Sequence, residues 1–379
     1  EAEVKQLSFR ESNSGINVDK LTAHFRSEGT RFEGDRVTLA MNQTEVSVTK
    51  AYYDTDTKEV GATMRADQVD PADIALFAPQ FAQLDKPISF NLKAEGALPQ
   101  ATLDHIEFRY GADTRFDISG SISDYSNLDA SDLNVNVRSF SVSQDDLEAL
   151  IRAGAPDYAS PPQLKAMGDL NLRMTAAGKL PNFRYNGALD TKQGDVSLNG
   201  TGRITNGFKQ LRFEGPVRAN NIAVASIIGE DAGVGNTTLR ATAGVTILQQ
   251  GGMTVTAAGT IESTSYKEYP YHDLVFDGTY SGTNVVASIH TDTELNELEL
   301  DANLSFGDSM RFEVNGMIDR LDLRPFVMME GWQMPTLATR IDARFAGSTI
   351  DDMTGTLVID QTSLTDSSFY YNPGPIYLQ

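Results

Sequence analysis

The sequence predicts a mostly β protein, an elongated antiparallel sheet of repeats with a few short helices. Apolar and polar residues alternate with a period of two along most of the chain, which is typical of strands with one buried face and one wet face. Gly, Asn and Asp separate these runs, as they do in tight turns between antiparallel strands. A long helix does not follow the strands at the spacing of βαβ units, so a parallel α/β sheet is disfavoured.

Composition and charge narrow the class of protein further. The 379 residues carry a net charge of −21, and 40% of them are hydrophobic, so the chain can bury enough apolar surface to fold. We expect no nucleic-acid partner, because phosphate binding needs clustered Lys and Arg and the sequence has no such cluster. The lack of a basic cluster also disfavours adsorption on an anionic membrane surface. The chain has no Cys and therefore uses neither disulfides nor thiol chemistry.

Each strand is predicted from its own alternation. In residues 88–93, Ile, Phe and Leu alternate with Ser, Asn and Lys. Residues 116–122 follow the same pattern, with Gly120 in one apolar position, and residues 297–306 alternate Leu with Glu, Asp and Asn. Such segments place one row of side chains on each face of a sheet, so we expect one face to be apolar throughout.

Four short helices are predicted from their capping patterns. The predicted segments run over residues 70–77, 143–151, 221–228 and 319–326. Asp70 followed by Pro71 and the Ser143-x-x-Asp146 pattern are the clearest N-terminal signals. Pro325 limits the fourth helix to about one turn.

A strand–helix–strand unit recurs along the chain. In its clearest form, residues 133–181, a strand and a helix precede the Pro-rich run 156–162, and a second strand ends in a Gly-x-Leu-Pro turn. Related patterns occur at 60–99 and 310–350. We predict that residues 1–379 are one continuous fragment of a longer protein, with degenerate repeats of roughly eighty residues and boundaries near 80, 160, 235 and 330. One large β-sandwich is the alternative.

This pattern resembles the AsmA-like superfamily, and within it the TamB family of translocation and assembly module proteins of Gram-negative envelopes, in a Bacteroidetes-like version. Residues 92–98, 172–180 and 319–326 carry the resemblance. It implies a sheet curled into an open U-shaped groove, like a taco shell, with an apolar interior. It also implies a periplasmic location, in a parent protein that is anchored in the inner membrane.

The resemblance further implies a non-enzymatic function and its partners. Members of the superfamily are associated with moving phospholipid between the inner and outer membranes, with an outer-membrane TamA-like barrel protein and with outer-membrane protein assembly. The ligands would be phospholipid acyl chains, held by apolar area and by no single residue. We predict that the alternating apolar residues line the groove, with ordinary core packing as the alternative for each: Phe90, Leu92, Ile118, Val135, Leu172, Leu198, Leu300 and Phe312.

Catalytic, cofactor and metal motifs are not found in the sequence. The four His residues do not have metal-ligand spacing, and the nucleophile and nucleotide-binding motifs are missing. We therefore expect no enzyme, no cofactor and no metal. The acidic loop 124–132 could offer oxygens to Ca²⁺ or could be a solvated turn. The alternative function is an extracellular or surface β-sandwich module for binding or adhesion.

Overall fold

The computed structural model describes residues 1–11, 15–154, 165–205, 209–228, 233–248, 252–306, 309–324, 326, 332–348, 352–367 and 369–378. It divides into two units, Glu1–Lys192 and Gln193–Gln379. Antiparallel strands dominate both units and the helices are few and short, so the predicted mostly β class is confirmed. Among the described residues, the helices are too short or too polar to cross a membrane.

The first unit is an up-and-down meander, in which each strand pairs antiparallel with the next. Its strands are β1 (Ala2–Arg10), β2 (Asn17–Glu28), β3 (Arg31–Met41), β4 (Thr44–Asp54), β5 (Glu59–Val69), β6 (Ile88–Ala97), β7 (Ala101–Tyr110), β8 (Thr114–Ile122), β9 (Asp132–Val142), β10 (Leu170–Lys179) and β11 (Asn182–Thr191). Its helices are α1 (Pro71–Ala75) and α2 (Gln144–Gly154), with 3₁₀ turns at Pro79–Gln83 and Leu128–Ala130.

The second unit repeats the meander with one short hairpin inserted. Its elements are β12 (Gly194–Thr205), β13 (Gln210–Ala223), α3 (Val224–Ile228), β14 (Asn236–Leu248), β15 (Met253–Tyr266), β16 (Tyr269–Tyr271), β17 (Leu274–Ser281), β18 (Asn284–Asp292), β19 (Glu297–Ser305), β20 (Met310–Asp322), β21 (Thr336–Gly347), β22 (Thr354–Asp366), β23 (Phe369–Tyr371) and β24 (Ile376–Leu378). β16 pairs with the end of β15, whose main part pairs with β17. Both β23 and β24 pair with β22.

Two of the four predicted helices are confirmed with their N-terminal caps, although α1 ends at Ala75 and α2 continues to Gly154. Asp70 caps α1 by accepting a hydrogen bond from the Ala72 backbone N–H at 2.8 Å. Ser143 caps α2, since its Oγ accepts from the Asp146 N–H at 3.4 Å. The third helix exists, but it begins at Val224, because residues 221–223 still belong to β13.

The predicted fourth helix is wrong at its start. Residues 319–322 are the end of β20, because a register shift between Ile318 and Leu321 lets the strand continue past the break in the alternation. Asp322 therefore ends a strand, although its neighbourhood in sequence resembles a helix cap. Of the predicted Pro-rich break in the first unit, residues 156–162 lie outside the described residues.

The helices of the first unit pack at one end of its sheet. The buried cluster there joins residues of β5, β6 and β7 to Leu84 and to Ala153 of α2, with Leu150 packed against its edge. Tyr110 is fully buried in this cluster, and its hydroxyl donates to the Asp85 carboxylate at 2.9 Å. The amphipathic α2 thus covers the end of the apolar face and leaves the rest of that face to other contacts.

A buried carboxylate attaches each of these two helices to the start of a strand. In α1, Asp73 accepts from the Thr44 hydroxyl at 2.7 Å, and Thr44 is the first residue of β4. In α2, Asp146 accepts from the Thr114 hydroxyl at 2.7 Å, and Thr114 is the first residue of β8. In both cases a hairpin separates the Thr from the helix. The two supersecondary units therefore share one anchoring interaction.

Replacing Asp146 with Ala is expected to lower the free energy of unfolding by about 2–3 kcal/mol. The change leaves the Thr114 hydroxyl unpaired and removes the partner of the Lys86 ammonium, which lies 2.5 Å from the carboxylate. Urea unfolding of the full chain measures the effect. Asp145→Ala is the matched control, because Asp145 is exposed in the same helical turn. Equal losses in the two variants would contradict the anchoring role.

Acid is expected to weaken the same anchor. Burial alone would raise the pKa of Asp146, but hydrogen bonds from Lys86 and Thr114 outweigh it and lower the pKa. The folded-state pKa then lies below the unfolded value of about 3.9. The stabilisation is present above that value and is lost as the pH falls below it. Urea midpoints measured from about pH 6 to about pH 2.5 should fall less steeply for Asp146→Ala than for the unchanged chain.

Candidate apolar binding face

The apolar face of the first unit carries a row of aromatic side chains. Phe90, Phe108, Phe116 and Phe140 stand opposite one another on β6 to β9, and Leu172 of β10 continues the row. The rings of Phe108 and Phe116 stack with centroids 5.4 Å apart, and those of Phe116 and Phe140 with centroids 4.5 Å apart. Cross-strand aromatic pairs of this kind stabilise the register of a sheet.

The other predicted groove residues of this unit lie in the adjoining rows of the same face. Leu92 and Ile118 both pair with Ile106, which stands between them on β7. Val135 lies in the next row, opposite Gly120 of β8. The structure therefore brings together five of the eight predicted residues, on strands β6, β8, β9 and β10.

The second unit has the same kind of face over a wider sheet. One row crosses ten strands and contains two of the predicted residues; its members are Leu198, Val217, Ala241, Gly259, Phe276, Ile289, Leu300, Gly316, Ile341 and Ile359. Phe312 lies two rows away, opposite Leu304 and Phe345. The remaining three predicted residues thus share one face of this unit.

Between these two rows runs a row of mostly small residues. Its members, from β13 to β21, are Gly215, Ala243, Ala257, Gly278, Ala287, Ala302, Val314 and Ala343. The rows on either side contain large residues such as Phe276, Leu300 and Phe312. On β17, β18 and β19 each small residue therefore lies between two larger side chains of its own strand.

Burial distinguishes this face from the core of a sandwich. All eight predicted groove residues are half-buried, whereas the centre of a packed two-layer core is fully buried. Among the described residues of the second unit, the buried apolar side chains are Ala219, Ile318 and Leu323. All three lie near one end of the strands. In this unit the middle of the apolar face therefore lacks the close cover that a second layer would provide.

The opposite face of each sheet is polar and charged. Arg138 contacts Asp117 at 2.6 Å, and Lys93 contacts Asp104 at 2.6 Å. A hydrogen bond from Arg138 lowers the pKa of Asp117. Two depressions of about 370 and 470 Å³ lie among such side chains, around Arg109 and Arg344. Exposed ion pairs contribute little to the free energy of unfolding. The main effect of these charged side chains is to keep this face of the sheet hydrated.

A tyrosine hairpin crosses one end of the apolar face in the second unit. It joins β15 to β16, and the Tyr269 hydroxyl donates to the carboxylate of Asp322 at the end of β20. Arg324 donates to the same hydroxyl at 2.9 Å. Hydrogen bonds from Arg324 and Tyr269 lower the pKa of Asp322 despite its burial, which acts in the other direction. Since β17, β18 and β19 lie between β15 and β20, the hairpin spans their ends.

The role of this hairpin does not follow from the sequence. Three tyrosines, Tyr266, Tyr269 and Tyr271, surround its turn. The turn residues Lys267 and Glu268 both have positive φ, although neither is the Gly, Asn or Asp that predicts such a turn. Its partner Asp322 is 53 residues away from Tyr269, so only the folded sheet shows what the hairpin covers.

The acidic loop has the geometry of a turn. The Asp124 carboxylate accepts from the backbone N–H groups of Ser126 and Asn127 at 2.8 and 3.1 Å, which defines an Asx turn. Across the part of the chain that the structure describes, groups of three or more His, Asp and Glu residues that could hold a metal ion are not found.

Comparisons of the chain with family models, with curated proteins and with solved structures give no match.

Replacing Gly316 with Ala is expected to lower the free energy of unfolding by about 2 kcal/mol or more. An added Cβ would lie 2.1 Å from the Glu299 carbonyl oxygen and 2.9 Å from the Leu300 Cα, so β19 and β20 could not keep their close approach. Thermal and urea unfolding measure the change. Gly278→Ala is the matched control on the same face, because its Cβ would have 3.5 Å to the nearest atom. A control as unstable as the test variant would contradict this explanation.

Proposed function

We propose that this chain is a non-enzymatic lipid-binding piece of an envelope protein, and that its apolar face holds phospholipid acyl chains. The observation that supports the proposal is a wide apolar face on which all eight predicted groove residues are half-buried. Exposure of such a face to water is unfavourable in free energy, so an amphipathic sheet is more stable when an apolar partner covers it. Acyl chains are a partner of matching chemistry.

The energetics of this contact require no individual binding residue. Each buried methylene contributes about 0.8 kcal/mol, so about ten methylenes contribute about 8 kcal/mol before the cost of ordering the chain. The contributions come from many residues of similar polarity. Movement along the face then breaks and remakes equivalent contacts, and it needs no chemical step.

The proposal includes the setting that the resemblance to the TamB family implies. The apolar face forms the interior of an open U-shaped groove in the periplasm, and the parent protein is anchored in the inner membrane. The groove serves as a bridge for phospholipid between the two membranes. An outer-membrane barrel of the TamA type is its partner in outer-membrane protein assembly and envelope integrity.

A surface β-sandwich for binding or adhesion is the competing function. It requires compact two-layer cores, in which residues such as Leu300 and Phe312 would be fully buried. Both side chains are half-buried instead. This difference favours the lipid-binding proposal.

The Ala302→Asp variant is expected to bind at least tenfold less phospholipid than the unchanged chain. Ala302 is half-buried in the row of small residues, so its replacement places a carboxylate in the path of an acyl chain. An unpaired charge in an apolar contact costs a few kcal/mol, and about 1.4 kcal/mol is a factor of ten. Quantitative mass spectrometry of lipid retained from phospholipid vesicles measures the difference.

Asn303→Asp is the matched control for this experiment. The next residue along β19 points to the polar face and is exposed, so it adds the same charge on the other side of the sheet. Circular dichroism checks that both variants keep their strand content. Equal lipid retention by the two variants, or none by the unchanged chain, would refute the proposed function.

A further inference from the structure

A cavity of about 180 Å³ lies at the end of the apolar face in the second unit, beside the tyrosine hairpin. Its lining residues come from the end of β16, the start of β17, the end of β18 and the turn before β19; they are Pro270, Tyr271, His272, Leu274, Thr291, Thr293, Glu294, Leu295 and Asn296. The cavity has room for several water-sized groups, since a water molecule occupies about 30 Å³ in the liquid.

Two hydroxyl groups of this lining are buried without a hydrogen-bond partner among the described residues. They are the Tyr271 hydroxyl and Thr291 Oγ1. The Thr291 residue is only 3% exposed, so it cannot satisfy its hydroxyl with bulk water. Buried polar groups are usually paired in folded proteins, and an unpaired one requires an explanation such as a bound molecule.

The Tyr271 hydroxyl is available as a donor. Burial raises the pKa of Tyr271 to about 12, and the neighbouring Tyr269 and Asp322 act in the same direction. The phenol therefore stays neutral at physiological pH and keeps its proton. A ligand that satisfies it must present an acceptor oxygen or nitrogen.

Thr291 places this polar cavity directly next to the apolar face. On β18 it is two residues from Ile289, so both side chains point to the same side of the sheet. Ile289 is opposite Leu300, in one of the long apolar rows. A molecule that fills the cavity and continues along the face must therefore have a polar head and an apolar tail.

The charges around the cavity restrict the head. Glu294 contributes a carboxylate to the lining, and Lys and Arg are missing from the lining residues. The neighbouring Arg320 donates through one Nη to the Thr293 carbonyl at 3.1 Å and to Glu297 at 3.0 Å, while its buried Nε has no hydrogen-bond partner among the described residues. His272 also lines the cavity, with its Nδ1 2.8 Å from the Asp273 carboxylate. An anionic head would therefore find no Lys or Arg in the lining, whereas an ammonium group would find the Glu294 carboxylate.

We infer that this cavity binds the head of a zwitterionic phospholipid with a primary ammonium group, and that its tails lie along the apolar rows. The Tyr271 and Thr291 hydroxyls donate to the acceptor oxygens of the head. Glu294 faces the ammonium. This inference rests on the proposed function, which it deepens by specifying which end of the lipid is recognised and by which residues.

The test uses Tyr271→Phe, Thr291→Val and the double variant, with Tyr125→Phe as the control. Tyr125 is 47% exposed in the turn between β8 and β9, outside both the cavity lining and the apolar rows. Isothermal titration calorimetry measures the binding of dihexanoyl phosphatidylethanolamine and of dihexanoyl phosphatidylglycerol as monomers. These probes share their acyl chains and differ in the charge of the head.

The unchanged chain should prefer phosphatidylethanolamine. Each hydroxyl deletion should weaken that binding about threefold to tenfold, whereas Tyr125→Phe should bind phosphatidylethanolamine as the unchanged chain does. Without lipid, the deletions should leave the melting temperature unchanged or raise it, because they remove unpaired buried groups. Loss of affinity without loss of stability is the signature of a ligand site.

Three results would overturn the inference. Equal affinity of the double variant and the unchanged chain for phosphatidylethanolamine would show that the cavity does not bind the head. The proposed function would then stand, because it requires only binding of the tails. A lower melting temperature of the double variant without lipid would show that the hydroxyls are structural, bonded to buried water. Failure of the unchanged chain to bind either lipid would overturn both the inference and the proposed function.

Discussion

The structure depends on one constraint, which is that the apolar face of a sheet has to be removed from water. In the first unit, α2 and the Tyr110 cluster meet this demand at one end of the sheet. Leu180 and Phe183 are buried at the other end, and Val137 is buried nearer the middle. In the second unit the buried apolar side chains among the described residues lie near one end. The helices and the tyrosine hairpin are therefore end covers. The proposed lipid is the cover for the middle.

Buried carboxylates hold these end covers in position. Asp73 and Asp146 connect α1 and α2 to the starts of strands, and Asp322 connects the hairpin to the end of β20. Each carboxylate is buried and accepts more than one hydrogen bond, which gives it a defined position that apolar contact alone would not provide. Apolar packing thus buries surface area, and the hydrogen bonds of these carboxylates fix the positions of the helices and of the hairpin.

Much of the fold could be predicted from the sequence, because a period of two and a capping residue are local signals. The face carrying Phe90 and Leu300 and the caps of α1 and α2 follow from such signals. The Asp319 segment could not be predicted, because a shift in register overrides its helix-like pattern. Strand register depends on contacts between distant residues. The row of small residues and the cavity at Thr291 therefore appear only once each strand has its partner.

The rows of the second unit give the apolar face a repeating pattern. Neighbouring members of a row are separated by the strand spacing of about 4.8 Å, so an apolar position returns at each strand, although its size varies from Gly to Phe. For the proposed acyl tail, the contacts along a row are of one chemical kind, and no single position dominates the binding energy. Such a surface tolerates exchange of one apolar residue for another at most positions. Its selectivity then has to come from the ends, where the polar groups are.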